Sequence, residues 1–160
     1  MTYCTIVWAA TYKTSLQKLL SLQKKVLKIS LGWFYHSRKN RILQEKTPPT
    51  NLTVFQLTNK LRVSDLYKHQ SAKFVYLVVN NLSTSCFQHF FKYTSMIQRH
   101  NTRQNSNLHL NQSTTSARNF TIVCQGQKIW NTIPLNIQKF PSIYSFAWQY
   151  KIFLTANLNN

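Results

Sequence analysis

The longest regular alternation of apolar and polar positions is "TSLQKLLSLQKKVLKISLG", from Thr14 to Gly32. At about 100° per residue, its leucine, valine and isoleucine side chains share one broad face, and its lysines gather on the opposite side. Ser15 can cap the first turn and Gly32 can end the last one. The pattern predicts an amphipathic helix. Its lysine face is either ordinarily solvated, which is the simpler interpretation, or a surface for phosphate contact through Lys18, Lys24, Lys25 and Lys28.

Three further segments carry helical signals. Ser64 and Asp65 mark a helix start, and the periodic segment behind them continues into "FVYLVV". That run is apolar on all sides and would also suit a buried strand, but its continuity with the upstream pattern favours a helix. "SCFQHFFKYTSMI" predicts a short amphipathic helix. The segment from Ser142 to Leu154 has apolar residues at i, i+3, i+4 and i+7, so it predicts a final helix with a buried stripe.

The segment from Gln98 to Asn119 is polar and contains no acidic residue. Nothing in it is expected to fill a core, so it predicts a long basic loop. The alternation in "FTIVC", from Phe120 to Cys124, predicts a short strand. The fold class expected from these patterns is mainly α, a small helical domain with a long polar loop and one short strand or hairpin near the C-terminus. Its regions are a helical part (1–97), the loop (98–119) and a strand-turn-helix unit (120–160).

"GQKIWNTIP" holds one of only two glycines in the chain. Gly126 permits a positive φ or a close backbone approach, and a helical turn is expected to follow it. Trp130 lies on the apolar face of this turn and Lys128 points away from it. Pro134 stops the turn because it cannot donate a backbone hydrogen bond. The spacing predicts that Trp130 is buried against the stripe of the final helix.

The charge balance is strongly one-sided. Twenty Lys and Arg residues face two acids, Glu45 and Asp65, for a formal net charge of +18. Such a surface suits RNA or DNA first and an anionic membrane second, although a solvated basic surface, or a sequence drifting without selection, would have the same composition. Beside the four lysines of the first helix, the candidate phosphate contacts are Arg38, Lys39, Arg41, Arg99, Arg103 and Lys128.

The same balance limits catalysis. Two isolated carboxylates do not make a two-metal polymerase or nuclease site, nor a general acid/base pair. Cys86 and His89 have the spacing of half a zinc site, but the second half is missing. We therefore expect no catalytic residues, metal, cofactor or small-molecule substrate. No apolar run is long enough to span a bilayer, so a soluble, intracellular protein, nuclear or cytoplasmic, is expected. Its oligomeric state is left open.

Six segments occur in an order that resembles one family. "GQKIWNTIP" is similar to the G-P-K-x-W-N-x-(L/I)-P signature near the C-terminus of reverse transcriptases from non-LTR retrotransposons of the jockey-like, LINE-type kind. Four other segments resemble elements around that signature, and one resembles the helix that follows the polymerase palm. In chain order, these five are "YCTIVWAATYKTSLQKLLSLQKKVLKIS", "LRVSDLYKHQSAKFVYLVVNN", "HNTRQ", "RNFTIVCQG" and "FPSIYSFAWQYKIFL".

The resemblance implies the thumb-and-tail region of an RNA-directed DNA polymerase, with Gly126, Trp130, Asn131 and Pro134 as structural motif residues. The Tyr-x-Asp-Asp motif is absent from the chain, and Gln127 stands where the family has proline. The expected function is that of a truncated, non-catalytic C-terminal fragment of a transposable element's polymerase, whose basic surface contacts template–primer nucleic acid. Two alternatives stay open: an independent basic nucleic-acid-binding module, and a decayed relic with no selected function.

Overall fold

The structure is a computed structural model that describes residues 4–30, 54–55, 58–97 and 105–157. Within these ranges the chain is mainly helical and contains no sheet, which confirms the predicted mainly α class. In chain order the helices are α1 (Thr5–Trp8), α2 (Lys13–Ser30), α3 (Val63–Val79), α4 (Thr94–Ile97), α5 (Ser116–Asn119), α6 (Ile122–Asn131), α7 (Leu135–Gln138) and α8 (Ile143–Ala156), with a 3-10 turn at Ser85–Phe87 between α3 and α4.

Helix α3 lies at the centre of the fold. It packs against α6 and α8, and its other sides meet α1 and α2. Ala72 and Val75 are fully buried in it, and Tyr76 and Val78 are nearly so. A helix with neighbours on several sides has no need of a polar face. This explains why "FVYLVV" is apolar all round and yet helical, as predicted.

The periodic stripe of α8 forms the other half of the core. Phe146 stacks on Tyr76 of α3 with ring centroids 4.7 Å apart, and on Tyr150 of its own helix at 5.9 Å. Trp130 of α6 lies 5.7 Å from the Phe146 ring. The Tyr76 hydroxyl donates a 2.7 Å hydrogen bond to the carbonyl of Phe140, just before α8 begins. The predicted burial of Trp130 against the final helix is therefore confirmed.

Helix α2 is held to the start of α3 by one glutamine. Gln23 Nε2 donates to the Leu61 carbonyl at 2.8 Å, and its Oε1 accepts from the Val63 N–H at 3.1 Å. This bidentate contact fixes the rotation of α2 about its axis. It leaves part of the predicted apolar face uncovered within the described ranges, where Leu22, Val26 and Ile29 are exposed.

The predicted strand "FTIVC" is wrong. Thr121 has extended backbone angles and caps a helix, so that Ile122, Val123 and Cys124 form the first turn of α6. A five-residue segment is too short to distinguish the two-residue repeat of a strand from the 3.6-residue repeat of a helix. The β-branched residues in it favour a strand only weakly, and tertiary packing can override that preference. The C-terminal unit is therefore helix-turn-helix, with α7 in the turn.

"SCFQHFFKYTSMI" does not form the predicted single amphipathic helix. It contains the 3-10 turn Ser85–Phe87 and the short helix α4, with bends between them. Phe87 and Phe91 both pack edge-on against Phe74 of α3, and Phe87 packs edge-on against Phe90 as well. The irregular path lets three aromatic rings cluster at one end of α3. A regular helix would have directed them along its length.

The polar segment contributes to the core, contrary to expectation. Residues 98–104 lie outside the described ranges, but Leu108 is 1% exposed and belongs to the main hydrophobic cluster. It forms an isolated antiparallel bridge with Tyr93. Further along, Ser116–Asn119 is helical and its Thr115 cap accepts from the Arg118 N–H. Two leucines, Leu108 and Leu110, are too few in this polar run to give a periodic signal, and only Leu108 is buried, so its burial could not be foreseen.

Gly126 lies in the middle of α6 rather than at a bend, so the alternative of a close backbone approach is the one that applies. A Cβ atom built there would lie 2.9 Å from Val75 Cγ2 and 3.1 Å from Phe91 Cζ. The missing side chain lets α6 approach α3 closely. The close packing of α6 on the central helix thus depends on this glycine.

Replacing Gly126 by alanine is expected to lower the free energy of unfolding by about 1–2 kcal/mol, measured by urea denaturation. Overpacking against the stiff Val75 side chain outweighs the better helix propensity of alanine, which favours the variant by about 1 kcal/mol. Combining Gly126→Ala with Val75→Ala is the control, since the smaller residue removes the nearest obstruction. The two losses should then be less than additive, and strict additivity would contradict the close-approach explanation.

Candidate nucleic-acid interface

The four signature residues all have structural positions in the C-terminal unit. Trp130 is 2% exposed, and Gly126 is enclosed by α3 and Phe91. Asn131 Nδ2 donates to the Leu108 carbonyl and its Oδ1 accepts from the Leu108 N–H, both at 2.9 Å. Pro134 precedes the first residue of α7 as its N-cap. These residues hold the helices together. None of the four is charged, so the cations of a nucleic-acid interface are other residues.

Of the ten candidate phosphate contacts, five lie outside the described ranges: Arg38, Lys39, Arg41, Arg99 and Arg103. The other five are on two helices, four of them on α2 and Lys128 on α6. Lys128 is exposed on the outer side of its turn, as predicted. The structure thus describes half of the candidate cations. Their relative positions depend on how α2 and α6 are placed in the fold.

The predicted single lysine face of α2 is wrong, because the four lysines divide into two pairs. Lys18 and Lys25 are exposed, whereas Lys24 and Lys28 are half-buried. With 3.6 residues per turn, Lys24 and Lys28 fall on the same side of the helix as Leu20, and Lys18 and Lys25 fall on the other side. The pairs differ because the Gln23 contact rotates the Lys24 side of α2 toward α3.

An open groove lies beside Leu20. It has a volume of about 770 Å³, and α2, α6, α8 and the beginning of α3 line it. Its apolar floor includes Leu16, Leu20, Ile129, Phe153 and Leu154. Three cations from two elements also line it, namely Arg62 and Lys68 around the first turn of α3, and Lys128 of α6. Lys128 is therefore brought together with two cations that no sequence pattern singles out.

One carboxylate lines the same groove. Asp65 is buried in the first turn of α3, where a negative charge is favourable, and accepts a 3.2 Å hydrogen bond and ion pair from Lys68 Nζ. Burial, with the Asp65 charge nearby, raises the pKa of the Tyr150 phenol, so this group stays protonated. The described lining of the groove thus contains three cations, Arg62, Lys68 and Lys128, and one carboxylate, Asp65.

No sequence pattern indicates that Arg62 and Lys68 lie near Lys128. They flank a helix start that is separated from Lys128 by about sixty residues of sequence. Only the packing of α3 on α6 brings them to one groove. Arg62 also lies over the Phe55 ring, with its Cζ 6.0 Å from the centroid, which is within the range of a cation–π contact.

The part of the chain that the structure describes contains neither a candidate metal site nor a candidate membrane span. No three His, Cys, Asp or Glu side chains there lie close enough to hold a metal ion. None of the helices described combines the length and apolar composition that a bilayer span needs. The sequence matches no known family model, and neither curated proteins nor solved structures gave a match.

Proposed function

We propose that this chain corresponds to the region that follows the palm in non-LTR retrotransposon reverse transcriptases, and that it binds RNA or DNA through the phosphate backbone without catalysing polymerisation. The ordered series of motifs supports the family. The structural positions of Gly126, Trp130, Asn131 and Pro134 agree with a signature whose role is to hold one packed unit together. The compartment we propose is nuclear or cytoplasmic.

The observation that carries the binding proposal is the groove between α2, α3 and α6. Arg62, Lys68 and Lys128 line it, and Asp65, the one carboxylate among its described lining residues, is paired with Lys68. Lys24 lies on the same side of α2 as Leu20, so it extends the positive surface away from the groove. Cations grouped on one surface attract the phosphate backbone strongly at low salt.

Backbone contact by lysines carries no sequence information. Lysine is a flexible point charge, and phosphates are the same whichever base they link. The floor of the groove is apolar and cannot hydrogen-bond to base edges, although its lining also includes the polar side chains of Gln17, Ser64, Thr132 and Asn157. The proposed activity is therefore binding with little sequence preference, which suits an element that would hold a template of any sequence.

The double variant Lys24→Gln/Lys128→Gln is expected to weaken binding and to lower the log–log salt slope by about 1 for each lysine removed. Fluorescence anisotropy with a labelled oligonucleotide, titrated at several salt concentrations, measures both quantities. Lys18→Gln/Lys25→Gln is the matched control, because it removes the same charge from the opposite side of α2. We expect the control to change the slope less.

Two results would contradict the proposal at different levels. Failure of the wild-type chain to bind RNA or DNA at low salt would remove the function itself. Equal slopes for the two double variants would keep nucleic-acid binding and reject the groove as its location.

A further inference from the structure

The outer side of α8 carries an exposed strip of large side chains. Tyr144 is 84% exposed, Trp148 is 59% exposed and Ile152 is 46% exposed. They are spaced at i, i+4 and i+8, so they line one face of the helix. Phe146 and Tyr150 are buried on the opposite face. The strip is therefore a second surface, separate from the core and from the groove that Tyr150 lines.

Isolated apolar side chains on a surface are ordinary, but a contiguous strip containing a tryptophan usually marks a binding surface. Within the described residues, Tyr144 makes no ring–ring contact, and the one ring interaction of Trp148 is the lysine contact given below. The rings add little to the packing of the helix, since Phe146 and Tyr150 supply its core side. Within the described ranges, their exposure leaves this face open to an occupant.

The surroundings of the strip are positive. Lys151 Nζ lies 5.9 Å from the centre of the Trp148 ring. Lys151 and Lys73 of α3 both act on His69, whose Nε2 donates to the Ala147 carbonyl at 2.9 Å. Burial, with the two lysines, lowers the pKa of His69, which is therefore neutral near pH 7. The positive charge at this surface thus comes from the two lysines.

We propose that the Tyr144–Trp148 strip binds unpaired nucleotides, with bases stacking on the two rings and phosphates pairing with Lys151 and Lys73. This inference rests on the proposed nucleic-acid binding and adds a preference for single strands to it. An aromatic ring stacks on any base, so the contact needs no sequence. The rings are one turn apart, about 6 Å along the axis, and so can meet neighbouring bases. A duplex keeps its bases in the stack and cannot use them.

A negatively charged partner fits this surface because the Lys151 ammonium lies over the Trp148 ring. Among anionic partners, nucleic acid uses both features of the strip, since each nucleotide carries a ring and a phosphate. An acidic protein or an anionic membrane would be held by general apolar contact, in which Ile152 should count as much as Trp148. This difference makes the occupants distinguishable.

Replacing Trp148 by alanine is expected to weaken binding of a short oligouridylate by about tenfold, in line with the loss of one base–aromatic stack. Binding of a duplex of the same length should stay unchanged. The salt slope should also stay unchanged, because no charge is removed. Anisotropy titrations at several salt concentrations measure all three, and thermal unfolding checks that the exposed substitution leaves the fold intact.

Trp148→Phe keeps a ring and should retain most of the affinity, whereas Ile152→Ala should have little effect. The inference is overturned if Trp148→Ala binds oligouridylate as the wild type does, or if Ile152→Ala weakens binding equally. It is also overturned if Trp148→Ala abolishes binding to phosphatidylserine vesicles and spares RNA. If the wild type binds no nucleic acid at all, the proposed function and this inference fail together. If only the groove variants lose affinity, the inference fails alone.

Discussion

Replacing Trp130 by alanine is expected to lower the free energy of unfolding by about 3–5 kcal/mol, measured by urea denaturation. The indole is 2% exposed, and its ring packs 5.7 Å from Phe146, which also stacks on Tyr76. Alanine would leave a cavity where α6, α3 and α8 meet. A typical domain has a total stability of about 5–15 kcal/mol, so this loss would remove a large fraction of it.

Lys128→Ala is the control, because it changes the outer side of the same turn. It should alter stability by less than about 0.5 kcal/mol. Trp130→Phe should fall between the two, because it removes less buried apolar volume than alanine does. It keeps a ring beside Phe146 and removes an indole N–H that has no hydrogen-bond partner within the described structure. Equal losses for Trp130→Ala and Lys128→Ala would show that the indole does not hold the core.

The long helices could be predicted from sequence because each contains several turns of one period. Helix α2 was expected over Thr14 to Gly32 and is observed at Lys13–Ser30. The Ser142 cap and the buried Phe146 and Tyr150 of α8 follow directly from their spacing. Over such lengths the apolar face is unambiguous, and local capping residues agree with it.

Short segments could not be predicted in the same way, because tertiary contacts decide them. "FTIVC" is helical since α6 must place Cys124, Gln127 and Trp130 on one side. Leu108 is buried because Asn131, twenty-three residues later in the chain, holds its backbone. Neither contact affects the local spacing of apolar and polar residues, and that spacing is the basis of the sequence prediction.

The candidate interface was predictable only in part, for the same reason. Lys128 was identified because its turn has a clear buried face. The division of the α2 lysines depends on Gln23, whose side chain bonds to backbone thirty-eight and forty residues away. Charge composition indicates that a basic surface exists, but only the packing of α2, α3 and α6 determines which cations share it.

Asn131 is the signature residue whose role is most specific. In the bridge between Tyr93 and Leu108, the hydrogen bonds run from the Thr94 N–H to the Asn107 carbonyl and from the His109 N–H to the Lys92 carbonyl. The N–H and carbonyl of Leu108 therefore point away from Tyr93. The Asn131 carboxamide meets both of them at 2.9 Å. The Asn131 side chain thus makes the two hydrogen bonds with Leu108 that a second neighbouring β-strand would make.

Replacing Asn131 by leucine is expected to lower the free energy of unfolding by about 2–4 kcal/mol, because two backbone groups of a buried residue lose the partners that they have in the described structure, at about 1–3 kcal/mol each. Leucine has nearly the same shape, so packing alone would predict a small effect. Urea denaturation measures the loss, and hydrogen exchange at the Leu108 amide locates it. That amide should exchange faster in the variant, while amides in the middle of α3 should change only with global stability.

Asn131→Asp separates hydrogen bonding from shape. An ionised carboxylate can accept from the Leu108 N–H but repels the Leu108 carbonyl, whereas the protonated acid can donate to that carbonyl as asparagine does. The folded state should therefore raise the pKa of the new carboxyl above its unfolded value of about 3.9. The variant should approach wild-type stability below that pH and lose stability as the pH rises through the higher folded pKa. A stability difference from wild type that does not vary with pH would mean that Asn131 supports Leu108 by packing and not by its paired hydrogen bonds.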